Sequence, residues 1–382
     1  MTSNGNSIEV PPGNTDLEVS IFGPGFGECV VVHFGNGDWG IVDSCLDPKS
    51  KRSAALGYLE ALHIDVSNSV RFVAATHWHD DHINGISDLF IAATSAFFVC
   101  TGAVGNPDFK DILASWTGCQ NLPGGSGVDE LRSVMGEIKK RQSNSRFPAP
   151  KLAFSGKILW ERNVSPPVIV RALSPSDSTT ISSITQLIGI NPHNAQMRRR
   201  VPNIRPNNTS VVLAIRVGLH SILLGADLEE QGEASLGWSA IVNEFDPTGD
   251  KHQGFKVPHH GSSNGHHDGI WRNMLINRAW AVTTPFVNGN VRLPSEADCQ
   301  RILKYTSESY ITAPPRPAKY KDSNKTVEKM VKSRASSVHL IPGRYGHVRL
   351  RKGISEAADS PWRVELFGDA TSVKDFIERG FI

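Results

Sequence analysis

The stretch from Thr76 to Ile86 constrains this chain more than any other. It reads Thr-His-Trp-His-Asp-Asp-His-Ile-Asn-Gly-Ile and directly follows the apolar run Val70 to Ala75, which predicts a buried strand. Side chains two positions apart in an extended chain point the same way, so His77 and His79 can hold one ion as the chain leaves the strand. A solvated surface loop is the alternative, but such a loop seldom ends a buried strand. Imidazole and carboxylate ligands suit zinc or a similar divalent ion, and the potential ligands here are His77, His79, Asp81 and His82.

Composition limits what can surround that site. The 382 residues carry 40 basic and 38 acidic side chains, so the net charge of +2 indicates no particular class of partner. No apolar run approaches the 18 residues of a membrane span, and residues 1–16 lack the apolar core of a signal peptide. These features predict a soluble, cytoplasmic protein with no membrane partner.

Hydrophobic patterning places polar residues at the ends of several strands. The first half is predicted to run strand, hairpin, helix, strand, with Asp43 and the histidine run each following a strand. The second half repeats this theme, with Asp227 and the His259-His260 pair after strands. The carboxyl ends of strands commonly hold active groups in layered α/β folds. The predicted strands are Leu17 to Phe22, Cys29 to Phe34, Trp39 to Val42, Val70 to Ala75, Ala96 to Cys100, Val168 to Leu173, Ser210 to Val217, Ser221 to Leu224, Gly254 to Val257 and Ala279 to Thr284, followed by His347 to Arg351 and Trp362 to Phe367 near the end of the chain.

Four motifs, in this order along the chain, resemble those of the metallo-β-lactamase-fold hydrolase superfamily. The resemblance implies an α/β fold, the metallo-β-lactamase αββα sandwich, in which two mixed β-sheets are flanked by helices; a small C-terminal appendage completes it. The motifs are Asp43, the run His77-x-His79-x-Asp81-His82, Asp227 in Gly-Ala-Asp-Leu, and His259-His260-Gly-Ser.

Further segments look like one branch of this superfamily, which includes the catalytic domain of the ComEC-type DNA-uptake proteins. This likeness runs from about Leu17 to Pro315. The membrane channel that accompanies the domain in those proteins is absent from the sequence, so a role in DNA transport is not implied. The segments are Gly25-Phe26-Gly27-Glu28, Asn207-Asn208-Thr209-Ser210, Val-Pro-His-His-Gly-Ser, Thr284-Pro285-Phe286 and Leu293-Pro294.

The resemblance implies two divalent metal ions, with zinc expected and manganese as the alternative. His77 and His79 would hold one ion, and Asp227 would bridge both. The second ion would be held by Asp81, His82 and one of the pair His259 and His260, with His260 favoured. A water between the ions would lose a proton and attack the substrate as a bridging hydroxide, while Asp43 would orient a ligand histidine. The third ligand of the first ion stays open between Asp177, His193, and Asp227 with water.

An arginine-rich segment bears on the substrate. Arg198, Arg199 and Arg200, with Arg205 shortly after, lie in the long segment Ser174 to Asn208. Guanidinium groups bind phosphate through two hydrogen bonds, although a solvated loop explains the charges equally well. The prediction is a hydrolase of phosphodiester bonds in nucleic acid or nucleotides. Hydrolysis of a carboxylic ester, lactone or amide, or a binding module without turnover, are the alternatives. The substrate-binding candidates are Arg198, Arg199, Arg200, Ser262 and Asn208.

The predicted domain organisation has three parts. Residues 1–16 form a disordered or extended tail, and residues 17–314 form the catalytic domain, with residues 174–208 as a long insertion loop near the site. Residues 315–382 form an α/β appendage packed on the main domain, which is locally basic and offers a surface for a protein partner. Oligomeric state stays open at this stage.

Overall fold

The computed structural model describes residues 9–102, 125–144, 147–188, 205–246, 249, 251–315, 330, 333 and 345–379. Within these ranges the chain forms two eight-stranded sheets and a separate two-stranded hairpin. None of the helices in the described ranges is long and apolar enough to cross a membrane.

The first sheet combines the N-terminal strands with two strands from the end of the chain. Its order is β17-β16-β1-β2-β3-β4-β5-β6, and the neighbours from β3 to β6 are parallel while the others are antiparallel. The strands are β1 Asp16–Gly23, β2 Cys29–Phe34, β3 Trp39–Val42, β4 Val70–Ala75, β5 Phe97–Thr101, β6 Lys151–Ala153, β16 Gly346–Gly353 and β17 Arg363–Gly368.

The second sheet is also mixed. Its order is β18-β15-β12-β11-β10-β9-β8-β7, with parallel pairing from β10 to β15. Strands β13 Phe286–Asn288 and β14 Val291–Leu293 form the separate hairpin. The sheet strands are β7 Ile158–Arg162, β8 Val168–Ala172, β9 Leu213–Val217, β10 His220–Leu224, β11 His252–Lys256, β12 Leu275–Thr283, β15 Ser309–Ile311 and β18 Thr371–Ser372.

Apolar side chains on both faces of the strands hold the two sheets and the helices together. In β2 every residue is buried, so Val31 packs toward the helices while Val30 and Val32 pack toward the second sheet. This double burial explains why the strand reads as a continuous apolar run rather than an alternating one. A third apolar cluster covers the outer face of the second sheet, where Trp238 and Ile270 pack on Phe255. The predicted αββα sandwich, with two mixed sheets flanked by helices, is confirmed.

Most helices flank the first sheet or follow a strand end. A helix begins at Ile86, directly after the histidine run. The segment Ser174 to Asn208 differs from its prediction as an irregular loop. A helix spans Asp177–Ile188 within it. Its Ser- and Thr-rich composition concealed a weak apolar periodicity. The helices are α1 Ala54–Ala61, α2 Val66–Ser69, α3 Asp80–Ile83, α4 Ile86–Ala92, α5 Gly125–Asn144, α6 Asp177–Ile188, α7 Gly237–Glu244, α8 Glu296–Leu303 and α9 Val373–Glu378.

The C-terminal strands belong to the main sheets. Strand β16 lies between β17 and β1 and pairs with β1 over eight positions, from Asp16 opposite Gly353 to Gly23 opposite Gly346. Strand β18 adds to the edge of the second sheet beside β15. The sequence predicts β16 and β17 as strands but does not predict their place inside the first sheet.

The topology brings together the carboxyl ends of strands from both sheets. In the first sheet β3 and β4 are parallel neighbours, so the residues that follow Val42 and Ala75 lie side by side. In the second sheet β10, β11 and β12 are parallel neighbours and end together in the same way. The polar motifs singled out in the sequence therefore meet at one edge of the sandwich.

Candidate metal centre

His77 and His79 leave the end of β4 as a neighbouring pair. The His77 Nε2 lies 3.1 Å from the His79 Nδ1, and the two rings are nearly perpendicular. His77 is buried and His79 is half-buried. Burial, together with neighbouring histidines, lowers the pKa of both imidazoles. Both therefore favour the neutral form, which is the form that binds metal.

His82 is held from its outer side by Asp43. The His82 Nδ1 donates to Asp43 Oδ2 at 2.8 Å, and the same carboxylate accepts hydrogen bonds from the Thr76 backbone N–H and hydroxyl, each at 2.8 Å. All three residues are buried. The arrangement fixes the ring so that Nε2 points into the cluster, the role predicted for Asp43 in orienting a ligand histidine.

Two aspartates face the inner nitrogens of His82 and His260. Asp227 lies with Oδ1 3.3 Å from the His82 Nε2 and Oδ2 3.5 Å from the His260 Nε2. The His260 Nε2 also lies 3.1 Å from Asp81 Oδ2, and the His82 Nε2 lies 3.7 Å from the same oxygen. Four buried groups from three distant segments thus face one another through the atoms that ligate metal.

Two of these atoms are buried and, among the residues that the structure describes, are in contact only as an ion pair without hydrogen-bond geometry. They are the His82 Nε2 and Asp227 Oδ1, which face each other across 3.3 Å. Leaving a buried polar atom without a partner costs about 1–3 kcal/mol, so native structures keep few of them. An imidazole nitrogen and a carboxylate oxygen are ligands that zinc and related ions prefer. The residues present fit a divalent ion at this point.

The electrostatics of the cluster favour a cation. Burial alone lowers the pKa of His82, but the carboxylates of Asp227, Glu28, Asp81 and Asp43 outweigh burial and raise it well above its ordinary value. Burial alone raises the pKa of Asp227, but His82 and His260 outweigh it, so this carboxyl stays ionised. The carboxylates that stabilise an imidazolium here would stabilise a metal ion in the same place.

A chain of hydrogen bonds supports His260 from behind. The His260 Nδ1 donates to Thr284 Oγ1 at 3.1 Å, Thr284 Oγ1 donates to Glu28 Oε2 at 2.7 Å, and the same Glu28 oxygen contacts the Lys256 Nζ. Lys256 also donates to the Ala226 carbonyl at 3.1 Å, next to Asp227. Every member of the chain is buried. We call His260, Thr284, Glu28 and Lys256 the support network.

Glu28 lies close to the candidate metal ligands and is itself a candidate by distance. Glu28, His82, Asp227 and His260 offer ligand atoms that all lie within 4.8 Å of one another. However, Glu28 approaches the Nδ1 side of both rings, at 3.7 Å from His82 and 3.9 Å from His260. The aspartates approach the Nε2 side. Glu28 therefore lies behind the cluster rather than in its centre.

His259 occupies a different place from His260. The side chain of His259 is 17% exposed, whereas that of His260 is 2% exposed. Its Nδ1 lies 2.8 Å from Asn264 Oδ1, and its Nε2 lies 3.3 Å from Asn207 Nδ2. His260 therefore faces the two aspartates, and His259 lies at the rim.

The backbone at the cluster is held in a conformation that side chains usually avoid. Asp43, Ala226, His259 and His260 all have positive φ angles, between 46° and 60°. Such angles cost energy in residues other than glycine and collect at functional sites, where the surrounding structure imposes them. Here they turn the chain sharply after β3, β10 and β11, which brings the side chains inward.

The remaining predicted residues lie farther out or outside the described residues. Asn208 is half-buried within the 3₁₀ turn Pro206–Thr209, and Ser262 is half-buried between the two short 3₁₀ turns that follow β11. Asp177 is exposed at the first position of α6, so its role as a third ligand stays a prediction. The alternative third ligand and the arginine run, which are His193, Arg198, Arg199 and Arg200, lie outside the described residues.

Three residues of the support network were not predicted as site residues. Glu28 and Thr284 stood only within motifs of the resemblance, and Lys256 was predicted merely as part of a strand. One signal was available, because Lys256 is a charged residue inside an otherwise apolar strand that ends at the histidine pair. A lysine there has to find a buried partner.

Comparisons with known proteins returned solved structures only. The chain is similar to YhfI, a metallo-β-lactamase-fold protein from Bacillus subtilis, at 13% identity and a TM-score of 0.38, covering 78% of this chain and 95% of that one. It is also similar to MEM-A1, a subclass B3 metallo-β-lactamase from a soil metagenome library, at 13% identity and a TM-score of 0.33, covering 70% and 84%. These similarities are weak, so the fold described above rests on the topology of the chain itself.

No family model matches the chain. No curated protein matches it either.

Proposed function

We propose that this protein is a metal-dependent hydrolase of phosphodiester bonds in nucleic acid or nucleotides. The observation that carries the proposal is the buried pair His82 Nε2 and Asp227 Oδ1, which face each other at 3.3 Å without hydrogen-bond geometry and have no hydrogen-bond partner elsewhere in the described ranges. The order of the motifs along the chain supports membership of the metallo-β-lactamase-fold superfamily and its ComEC-type branch.

The proposed ligand sets are those that the resemblance implies. His77 and His79 would hold one ion, and Asp81, His82 and His260 the other, with Asp227 between them. Divalent ions in such a site, zinc in the first place, lower the pKa of water and polarise a phosphoryl oxygen. Asp43 and Thr284 hold the rings of His82 and His260 in one orientation, so the inner nitrogens are available without rearrangement.

His259 is the group of this chain best placed to meet the substrate. It lies at the rim, next to the buried His260, and Asn264 and Asn207 contact its two ring nitrogens. A histidine in this position can donate a proton or a hydrogen bond to the oxygen that leaves. The Asn207 side chain also donates to Glu229 at 3.0 Å, which holds the amide beside the imidazole.

The test is metal content paired with a substrate panel. We expect about two zinc or manganese ions per chain and cleavage of bis-p-nitrophenyl phosphate together with labelled single- or double-stranded DNA or RNA. His79→Ala and Asp81→Ala should abolish turnover while the protein stays folded by circular dichroism. Undiminished turnover in a metal-stripped sample would overturn the proposal. Turnover confined to esters, lactones or amides would keep the metal centre and overturn the substrate class.

The arginine run gives a separate test of the phosphodiester substrate. Replacing Arg198, Arg199 and Arg200 by Ala should raise the KM for a nucleic-acid substrate and flatten its dependence on salt concentration, because fewer phosphate contacts release fewer counterions. The control is Arg278→Ala, which removes an exposed arginine on β12. An unchanged KM in the triple variant would indicate that the arginine run is a solvated loop that does not bind the substrate.

A further inference from the structure

An aromatic pair borders the metal centre and reaches solvent. Phe26 lies in the turn between β1 and β2 and is 38% exposed, and half-buried Phe286 opens β13. Their ring centroids are 5.6 Å apart, with 38° between the planes. The Phe286 ring in turn lies 5.2 Å from the His260 ring, at 31°. A continuous row of rings therefore leads from the cluster to the surface.

The pair is held in place by its backbone. The Val287 N–H donates to the Gly25 carbonyl at 2.8 Å and joins the two loops. The Glu28 N–H donates to the Asp81 carbonyl at 2.9 Å, which ties the Phe26 turn to the histidine run. Gly27 has a φ of +115°, and a Cβ there would approach the Cys45 Cβ to 2.7 Å. Phe26 is thus presented by a rigid turn.

Single exposed apolar residues are common on protein surfaces, so exposure alone says little. Phe26 differs from the other exposed apolar residues in its side-chain type and in its position. The other strongly exposed large apolar residues of the described ranges are aliphatic or methionine, whereas Phe26 is aromatic and stands beside the metal centre. Those others are Val10, Ile91, Ile158, Val164, Ile181, Leu219, Val291, Met330 and Leu366.

We propose that Phe26 and Phe286 form a stacking surface for a nucleobase next to the scissile phosphodiester. This inference rests on the proposed function and narrows its substrate class to diesters that carry a base. An aromatic ring stacks on any base through its flat face, so such a surface selects for a base without selecting its identity. Only one sugar separates the base from the phosphate in a nucleotide, and the Phe286 ring lies 5.2 Å from the His260 ring, so this surface stands beside the site proposed for the phosphate.

The experiment compares two diesters that differ only in their bases. One is the thymidine dinucleoside monophosphate, and the other is its analogue with hydrogen in place of both bases. We expect the ratio of kcat/KM between them to fall about tenfold in Phe26→Leu, since one stacked base loses its aromatic partner. Phe26→Trp should keep the ratio. The matched control is Leu219→Ala, an exposed apolar residue at the β9–β10 turn, away from the strand ends that form the site.

The outcomes separate the two proposals. A wild-type enzyme that cleaves both diesters, with the same ratio in Phe26→Leu, overturns the stacking surface and leaves the phosphodiesterase intact. A wild-type enzyme that cleaves neither diester, although loaded with metal, overturns the proposed function and the stacking surface with it. A ratio that falls in Phe26→Leu, stays in Phe26→Trp and does not move in Leu219→Ala supports the inference.

Discussion

Thr284 donates a hydrogen bond to Glu28 at 2.7 Å, although the two residues are 256 positions apart in the chain. Thr284 directly follows β12 in the second sheet, and Glu28 directly precedes β2 in the first sheet. The bond therefore crosses from one sheet to the other directly behind His260. It makes the orientation of His260, a proposed metal ligand, depend on how the two sheets are packed together.

Removing the Thr284 hydroxyl should weaken metal binding without unfolding the protein. In Thr284→Val the His260 Nδ1 loses its hydroxyl acceptor and keeps only the Thr284 carbonyl at 3.2 Å, and Glu28 loses a donor. We expect the affinity for zinc, measured by competition with a chromophoric chelator, to fall about 10- to 100-fold. Thr306→Val is the matched control, because its buried hydroxyl donates to the Ala279 carbonyl at 2.7 Å away from the cluster. Equal zinc affinity in the two variants would contradict the role of the support network.

The histidine pair can be resolved by counting bound metal. His260→Ala should lose one of the two ions, because it removes the nitrogen that faces Asp81 and Asp227. His259→Ala should keep both ions and lose turnover, since His259 lies at the rim. Metal content by mass spectrometry of the purified variants makes the comparison. Loss of an ion in His259→Ala, with full retention in His260→Ala, would reverse the assignment.

Removing one charge of the Lys256–Glu28 pair should destabilise the protein more than removing both charges. Lys256→Met leaves the Glu28 carboxylate buried without its countercharge, which typically lowers the free energy of unfolding by about 3–5 kcal/mol. Lys256→Met combined with Glu28→Leu removes both charges and should recover part of that loss. Urea denaturation of the metal-free proteins measures both. The exposed pair Arg52 and Glu60 is the control, because breaking it should cost far less. A double variant as unstable as the sum of its single variants would exclude the coupling.

His252 predicts how stability depends on pH. Burial lowers its pKa to about 4, below the ordinary value of 6.5, so the folded protein binds this proton less readily than the unfolded chain. The contribution of His252 to the free energy of unfolding is therefore at its full value above pH 6.5. It decreases as the pH falls toward 4, by up to about 1.4 kcal/mol per pH unit. His252→Asn should flatten the decline between pH 6.5 and 4 in urea titrations. His63→Asn, at an exposed histidine, is the control, and an unaltered decline in His252→Asn would refute the assignment.

Local sequence predicts most of the central strands to within a few residues. Cys29 to Phe34, Trp39 to Val42 and Val70 to Ala75 agree with the structure at both ends. They are almost wholly buried, so their sequences are apolar except for His33 and Arg71, and their ends are marked by Gly or by polar residues. Short edge strands such as β6 and β18 carry only two or three residues, too few to show a period. Their pairing depends on neighbours distant in the chain.

The cluster was predictable where its residues stand close together in sequence. The run from His77 to His82 can be recognised from the spacing of its histidines and aspartate, and Asp227 and His260 each follow an apolar run. Lys256 and Thr284 gain their role only through contacts with Glu28, which no local pattern encodes. The difference between His259 and His260 likewise depends on two successive positive φ angles, which turn one side chain inward and the other outward.

Because β1 pairs with β16, the first sheet can reach its native strand order only after β16 has been synthesised. Arg351 of β16 donates at 2.7 Å to the buried carboxylate of Glu18 in β1, a residue 333 positions earlier. During synthesis β1 leaves the ribosome long before its neighbour β16, so until β16 is made the edge of β1 on that side is open and Glu18 lacks its Arg351 partner. An open strand edge invites pairing with other chains. The native strand order of the first sheet can therefore be reached only after β16 has been synthesised, and until then the edge of β1 can pair with other chains.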